Sequence, residues 1–268
     1  MLSLKDVCLQ IEKVPLLSNI NLQCESGEVT VLMGPNGAGK TSLLNVISKN
    51  YQASSGELEI NGAAQASWAE SELAKFMGVL PQYSSLDFPF LVKEVVLLGR
   101  TPHAAGKQID AEIVQAALEK VDGSYLANRL YTRLSGGEKQ RVQLARVLAQ
   151  VWPSSWLGKP QDKASQHNQE NLLMLLDEPS ASLDLEHQQL LRRVVKEFAE
   201  QGGTVVMVMH DLNLAAMCAD KMTFMTCGRI VANGSPQELL TPEKIKHVFG
   251  VDVDVIQHPS NDLPLVVV

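Results

Sequence analysis

Residues 34–42 read GPNGAGKTS and fit the spacing G-x-x-x-x-G-K-[ST]. Such a loop gathers backbone N–H groups into a nest at the start of a helix, where phosphate oxygens are held. Gly37 and Gly39 let the backbone curl closely around the phosphates. Lys40 is placed to reach β- and γ-phosphates, the Thr41 hydroxyl to ligate Mg²⁺, and Ser42 to touch an inner phosphate. Gly34, Pro35, Asn36 and Ala38 complete the candidate ATP-binding set. The plainer alternative is an ordinary glycine turn after a strand. A second stretch, NLLMLLDEP, ends an apolar run on Asp177 and Glu178. At the carboxyl edge of a sheet, beside the glycine loop, Asp177 can hold Mg²⁺ and Glu178 can take a proton from an attacking water. Without the loop, a solvated strand end would explain the two carboxylates equally well.

These residues need strands that end at one edge and helices that start there. VTVLM (29–33) is a short apolar run directly before the loop, as a buried central strand requires, and TSLLNVISK continues with helical spacing. FMGVLPQ, NLLMLLDEP and GTVVMVMH are further buried-strand runs. LEHQQLLRRVVKEFAEQ carries Leu190, Leu191, Val194, Val195 and Phe198 on one helical face. LSLKDVCLQI, NINLQCE and GELEING read as short strands, and TFMTCGRIVANG as a hairpin turning at Cys227-Gly228. The alternation implies an α/β fold with a mostly parallel sheet. Residues 87–150 interrupt it with helical patterns and read as an inserted helical subdomain. Residues 151–171 read as a flexible surface insertion, and 250–268 as a terminal extension adding edge strands.

RLSGGEKQRVQLAR (133–146) poses a separate problem. Ser135 and Glu138 have the spacing of a capping box, yet Gly136 and Gly137 occupy the first turn, where each costs about 1 kcal/mol relative to alanine. They leave N–H groups bare at the positive end of a helix dipole, which is an anion site remote in sequence from the glycine loop.

GPNGAGKTS, Gln82 after an apolar strand, LSGGE at 134–138, LLMLLDEP, SASLD at 180–184 and His210 after VVMVM occur in the order found in ABC-type ATPases, and the chain resembles that family over nearly its whole length. The resemblance implies a P-loop NTPase core of mixed sheet, an N-terminal antiparallel β subdomain and the inserted helical subdomain, together forming one cassette over 1–268. It implies that Gln82 contacts Mg²⁺ or the attacking water, that His210 contacts the γ-phosphate, and that Asp184 couples two sites across a homodimer. The bland readings are a polar strand end for Gln82, a core-edge histidine for His210 and an N-cap for Asp184. Ser135, Gly136, Gly137 and Glu138 would close over the ATP held by the partner copy. The likeness extends to importer ATPases for iron-siderophores, haem and vitamin B12, on LGRTPH (98–103) and HDLNLAAMCAD (210–220). It is narrowest to haem import, on LPQYSSLDFPFLVKEVVLLGR and QHPSNDLP. That implies two polytopic permease subunits, docking near residues 82–94, and a periplasmic binding protein in the complex. FPFL (88–91) would serve docking or core equally well. The implied place is the cytoplasmic face of the inner membrane. Family members often stack adenine on an aromatic residue near the first strands. QIEKVPLL has none, so Val14 or Ile11 is expected against the base, with weak discrimination of ATP from GTP.

Composition narrows the alternatives. The chain has 268 residues, 45% of them hydrophobic, and a formal net charge of -7. The acidic balance argues against a nucleic-acid partner. No apolar run approaches the ~18 residues of a membrane span, and the N-terminus lacks a signal-peptide pattern. Cys8, Cys24, Cys218 and Cys227 show no metal-ligand spacing and are expected to be buried free thiols. A scaffold ATPase for iron–sulfur assembly would share every nucleotide motif, but not the LGRTPH and C-terminal likeness. A nucleotide kinase would leave LSGGE and His210 without a role.

Overall fold

The structure, a computed structural model, describes residues 2–82, 86–152, 156 and 172–268. The insertion expected at 151–171 therefore lies outside the described residues except for Val151, Trp152 and Trp156.

A six-stranded sheet carries the architecture. Its strands are β3 (Val29–Met33), β6 (Met77–Leu80), β7 (Leu173–Asp177), β8 (Thr204–Val208), β9 (Lys221–Thr226) and β10 (Arg229–Gly234), in the order β10-β9-β3-β8-β7-β6. The five strands from β9 to β6 are parallel and β10 returns antiparallel to β9. The sheet is thus mixed, as the resemblance implies. A second, antiparallel sheet is built from β1 (Leu2–Ile11), β2 (Val14–Cys24), β4 (Ser55–Ile60) and β5 (Ala63–Ala64), in the order β2-β1-β4-β5.

The side-chain alternation of a strand assigns each face of the large sheet to a different core. Val29, Val31 and Met33 of β3 share one cluster with Met174 and Leu176 of β7 and with Val205 and Met207 of β8. Into that face pack α3 (Val92–Leu97), α4 (Lys107–Lys120), α5 (Gly136–Gln150), α6 (Leu185–Glu200) and α7 (Leu212–Cys218). Leu32, Leu173, Leu175, Val206 and Val208 point the other way, onto α1 (Lys40–Ile47) and the antiparallel sheet. Both faces are covered, which is why these strands read as unbroken apolar runs. In α6, the five predicted apolar residues are all buried. Truncating a buried phenylalanine such as Phe198 to alanine costs about 3–5 kcal/mol.

The remaining α-helices among the described residues are short: α2 (Glu70–Phe76), α8 (Pro236–Leu239) and α9 (Pro242–Phe249). The tail departs from expectation. Its strands β11 (Asp254–Gln257) and β12 (Pro264–Val267) pair with each other and extend neither larger sheet. The physical reason lies in burial. Val266 enters the helical-side core and Val255 packs against it, so the hairpin is held by its side chains over α7 rather than by a sheet edge. No helix among the described residues is long and apolar enough to cross a membrane.

Candidate functional site

The loop after β3 and the start of α1 lie near the middle of the sheet, at the carboxyl ends of its strands, where ligands bind in open α/β folds. A cavity of about 660 Å³ opens there. Asn36, Gly37, Ala38, Gly39, Lys40, Thr41 and Ser42 line it, and so do Gln82, Glu178 and His210. Four segments far apart in sequence thus converge on one space.

Gly34 is required by a close approach: a Cβ there would lie 2.1 Å from the Met225 carbonyl oxygen. The loop rests on the β9–β10 turn, where the Gly228 N–H donates to the Ala38 carbonyl at 3.0 Å and the Ser18 N–H to the Gly228 carbonyl at 2.8 Å. Lys40 is buried and its Nζ donates to the Gly34 and Pro35 carbonyls at 2.8 and 2.9 Å. Burial lowers its pKa, and the Glu178 and Asp177 carboxylates work against that shift. An arriving phosphate would add the opposite charge and hold the ammonium in its charged form.

Glu178 is the centre of the polar wall. Its Oε1 accepts from Gln82 Nε2 at 2.8 Å and lies 2.6 Å from His210 Nε2. The residue adopts a φ of 51°, uncommon for a side chain with a Cβ. Its backbone is held on both sides: its N–H donates to the Val208 carbonyl at 3.1 Å, and its carbonyl accepts from Ala181 N–H at 3.1 Å and from Gln140 Nε2 at 3.4 Å. Strain at such a position costs on the order of 1–3 kcal/mol and persists only where the surroundings impose it. Here it turns the carboxylate toward Gln82 and His210.

Asp177 closes an adjoining cavity of about 230 Å³ that it shares with Thr41 and Gln82. Burial raises its pKa, while a hydrogen bond from the Thr41 side chain draws it down. Its Oδ1 is buried with no hydrogen-bond partner in the described structure. A buried carboxylate oxygen without a partner, next to a hydroxyl and an amide, suits a hard divalent cation that takes oxygen ligands.

Ser135, Gly136, Gly137, Glu138 and Asp184 do not line the large cavity. The capping box is formed: Glu138 N–H donates to Ser135 Oγ at 3.3 Å, and Ser135 N–H to Glu138 Oε2 at 2.8 Å. The Ser135 N–H, its hydroxyl and Arg129 hold the Glu138 carboxyl below its ordinary range, against a smaller opposing effect of burial. Gly137 has a local reason as well, since a Cβ there would lie 2.8 Å from the Ser182 carbonyl oxygen. The first turn of α5 thus touches the loop between Glu178 and Asp184. Asp184 caps α6 by accepting from His187 N–H at 2.9 Å.

Several residues at the site escape sequence reasoning. The base is expected against Val14 or Ile11, but Pro15 and Leu16 line the cavity, beside Cys227 and Gly228. Cys227 is exposed there and Cys8 is half-buried, so only Cys24 and Cys218 are the buried thiols expected of all four. Burial pushes Cys24 up to about 12 and Cys218 up to about 11. Gln140, one turn into α5, also bonds the Pro179 carbonyl at 3.3 Å.

Residues 17–153 match the ABC transporter family model. The chain is 44% identical over 257 residues to the hemin import ATP-binding protein HmuV of Plesiomonas shigelloides, covering 96% of this chain and 97% of that protein. It is 43% identical over 267 residues to the protein of the same name from Pseudomonas entomophila, covering 100% and 99%. Among solved structures, a metal-chelate type ABC transporter in an inward-facing conformation superposes with a TM-score of 0.78 at 24% identity, covering 99% of this chain and 96% of that one. The ATP-binding cassette MJ0796, a dimer bound to ADP and Pi, superposes with a TM-score of 0.72 at 25% identity, covering 88% and 98%.

Proposed function

The chain belongs to the ABC transporter family, and we propose that it is the ATP-hydrolysing subunit of an importer that carries haem across the bacterial inner membrane. The observation that carries the chemistry is the Glu178 carboxylate, shared between Gln82 and His210 on the wall of the cavity that Lys40 and the glycine loop also line. Haem as cargo is supported by near-full-length relatives named for hemin import.

Phosphoryl transfer to water is mainly positioning and charge stabilisation. The N–H groups of residues 34–42 cradle the phosphates. Lys40 leaves the Gly34 and Pro35 carbonyls for the β- and γ-phosphate oxygens. Thr41, Asp177 and Gln82 would hold Mg²⁺, which neutralises phosphate charge when bound. Glu178 accepts the proton of the attacking water. Gln82 and His210, already bonded to the carboxylate, orient that water, and His210 contacts the γ-phosphate.

Ser135, Gly136, Gly137 and Glu138 are the residues to cover the large cavity in a homodimer, each copy closing over its partner's ATP, with Asp184 coupling the two sites. Residues 87–150 act as a helical subdomain. Two permease subunits dock near residues 82–94, where Phe88 and Phe90 are exposed with ring centroids 6.2 Å apart; residues 83–85 of that stretch are outside the described set. A periplasmic binding protein delivers the cargo to the complex, and the ATPase sits on the cytoplasmic face. Reconstitution with the permease tests the cargo. Haemin-loaded binding protein should stimulate ATP hydrolysis, and equal stimulation by siderophore or cobalamin carriers would contradict it.

A further inference from the structure

The histidine segment is tied to a part of the chain that makes no contribution to the cavity. Asn213 lies three residues after His210, in the first turn of α7. Its Nδ2 donates to the Val266 carbonyl at 3.0 Å and its Oδ1 accepts the Val266 N–H at 2.8 Å. The Asn213 side chain therefore pairs with β12 as a neighbouring strand would, on the edge that β11 leaves open. Its own N–H is held as well, donating to Asp211 Oδ1 at 2.8 Å. Asp211 caps α7 and is the residue next to His210, whose Nε2 lies 2.6 Å from Glu178. Hydrogen bonds and the peptide link between Asp211 and His210 thus join Val266 to the Glu178 carboxylate. The hairpin end of that connection is fixed in the core, because Val266 is buried. Asn213 itself does not line the cavity.

We propose that Asn213 is a positioning residue: by gripping both backbone atoms of Val266, it uses the β11–β12 hairpin as an anchor that sets the His210 loop against Glu178. The proposal rests on the site reading above, which loss of hydrolysis in Glu178→Gln tests separately. The Asn213 variants test only the anchor.

The experiment compares steady-state ATP hydrolysis and ATP binding for wild type, Asn213→Ala, Asn213→Asp, Val266→Pro and the double variant of Asn213→Ala with Val266→Pro. Asn213→Ala should lower kcat roughly three- to thirtyfold while the ATP Kd, set by the glycine loop, stays within about twofold. Val266→Pro removes the N–H that Asn213 accepts and should do the same, and the double variant should lose less than the sum of the two, as for two halves of one contact. Asn213→Asp keeps the acceptor but sets a carboxylate oxygen against the Val266 carbonyl, so its kcat should fall as well. Unchanged kcat in Asn213→Ala or Asn213→Asp, additive losses, or a Kd that weakens in step with kcat would each overturn the anchor.

Discussion

His210 Nε2 lies 2.6 Å from Glu178 Oε1, although 32 residues separate them. The contact spans the carboxyl ends of β7 and β8, adjacent parallel strands in which Asp177 pairs with Val208. Sheet register therefore sets this distance. Anything that slides β8 against β7 moves the histidine off the carboxylate.

Ser135→Arg tests whether the first turn of α5 serves a second copy. Ser135 is exposed and outside the cavity, so the monomer should bind ATP normally. Hydrolysis and ATP-dependent dimer formation should be lost, since a bulky cation would occupy the face that closes. Losing the cap alone costs about 0.5–2 kcal/mol, so Ser135→Ala serves as control and should keep far more activity. Size-exclusion chromatography with ATP, run beside an ATPase assay, reads both.

Asp177→Asn should stabilise the metal-free protein while abolishing Mg²⁺-dependent hydrolysis. Burial raises the Asp177 pKa, so the folded chain keeps this proton to a higher pH than the unfolded chain does. The ionised carboxylate then costs stability, beginning as pH rises past about 4. The asparagine variant escapes that cost. Its melting temperature should match wild type near pH 4 and exceed it at neutral pH. A gap that shrinks as pH rises would contradict the assignment. Differential scanning calorimetry in EDTA measures it.

Pro15→Tyr should tighten ATP binding. Pro15 is exposed on the cavity wall, which carries no aromatic side chain among the described residues. A ring stacked on the base is worth about 0.5–1.5 kcal/mol, or roughly two- to tenfold in Kd. The gain should be similar for ATP and GTP, because stacking does not read the base edge. Fluorescent-nucleotide competition gives both constants, and an unchanged ATP affinity would place the base elsewhere.

These outcomes bear unequally on what the sequence makes legible. The glycine loop, Asp177 and Glu178 are readable because their types and spacing are written in consecutive residues, and the structure puts them on the walls of two adjoining cavities. Gln82 and His210 follow from their order along the chain, and their meeting on one oxygen is a matter of register. Gln140 offers no signal: its bonds to the Glu178 and Pro179 carbonyls arise only when α5 docks on β6 and reaches the turn after β7. Gly137 looks like a bare anion site in sequence, yet the Ser182 carbonyl alone would exclude a Cβ there. The tail alternates as any edge strand would, and alternation cannot say which partner a strand will choose. Asn213, inside an unremarkable helical pattern, makes that choice visible only in three dimensions.

The most direct test of the account is the single-turnover rate of Glu178→Gln. The amide keeps the size of the side chain and removes its basicity. General-base assistance is worth about 10²–10⁴ in rate, so hydrolysis should fall by that factor while ATP binding is retained and an ATP-bound dimer accumulates. Hydrolysis near the wild-type rate would show that another group takes the proton, and would remove Glu178 from the centre of the mechanism.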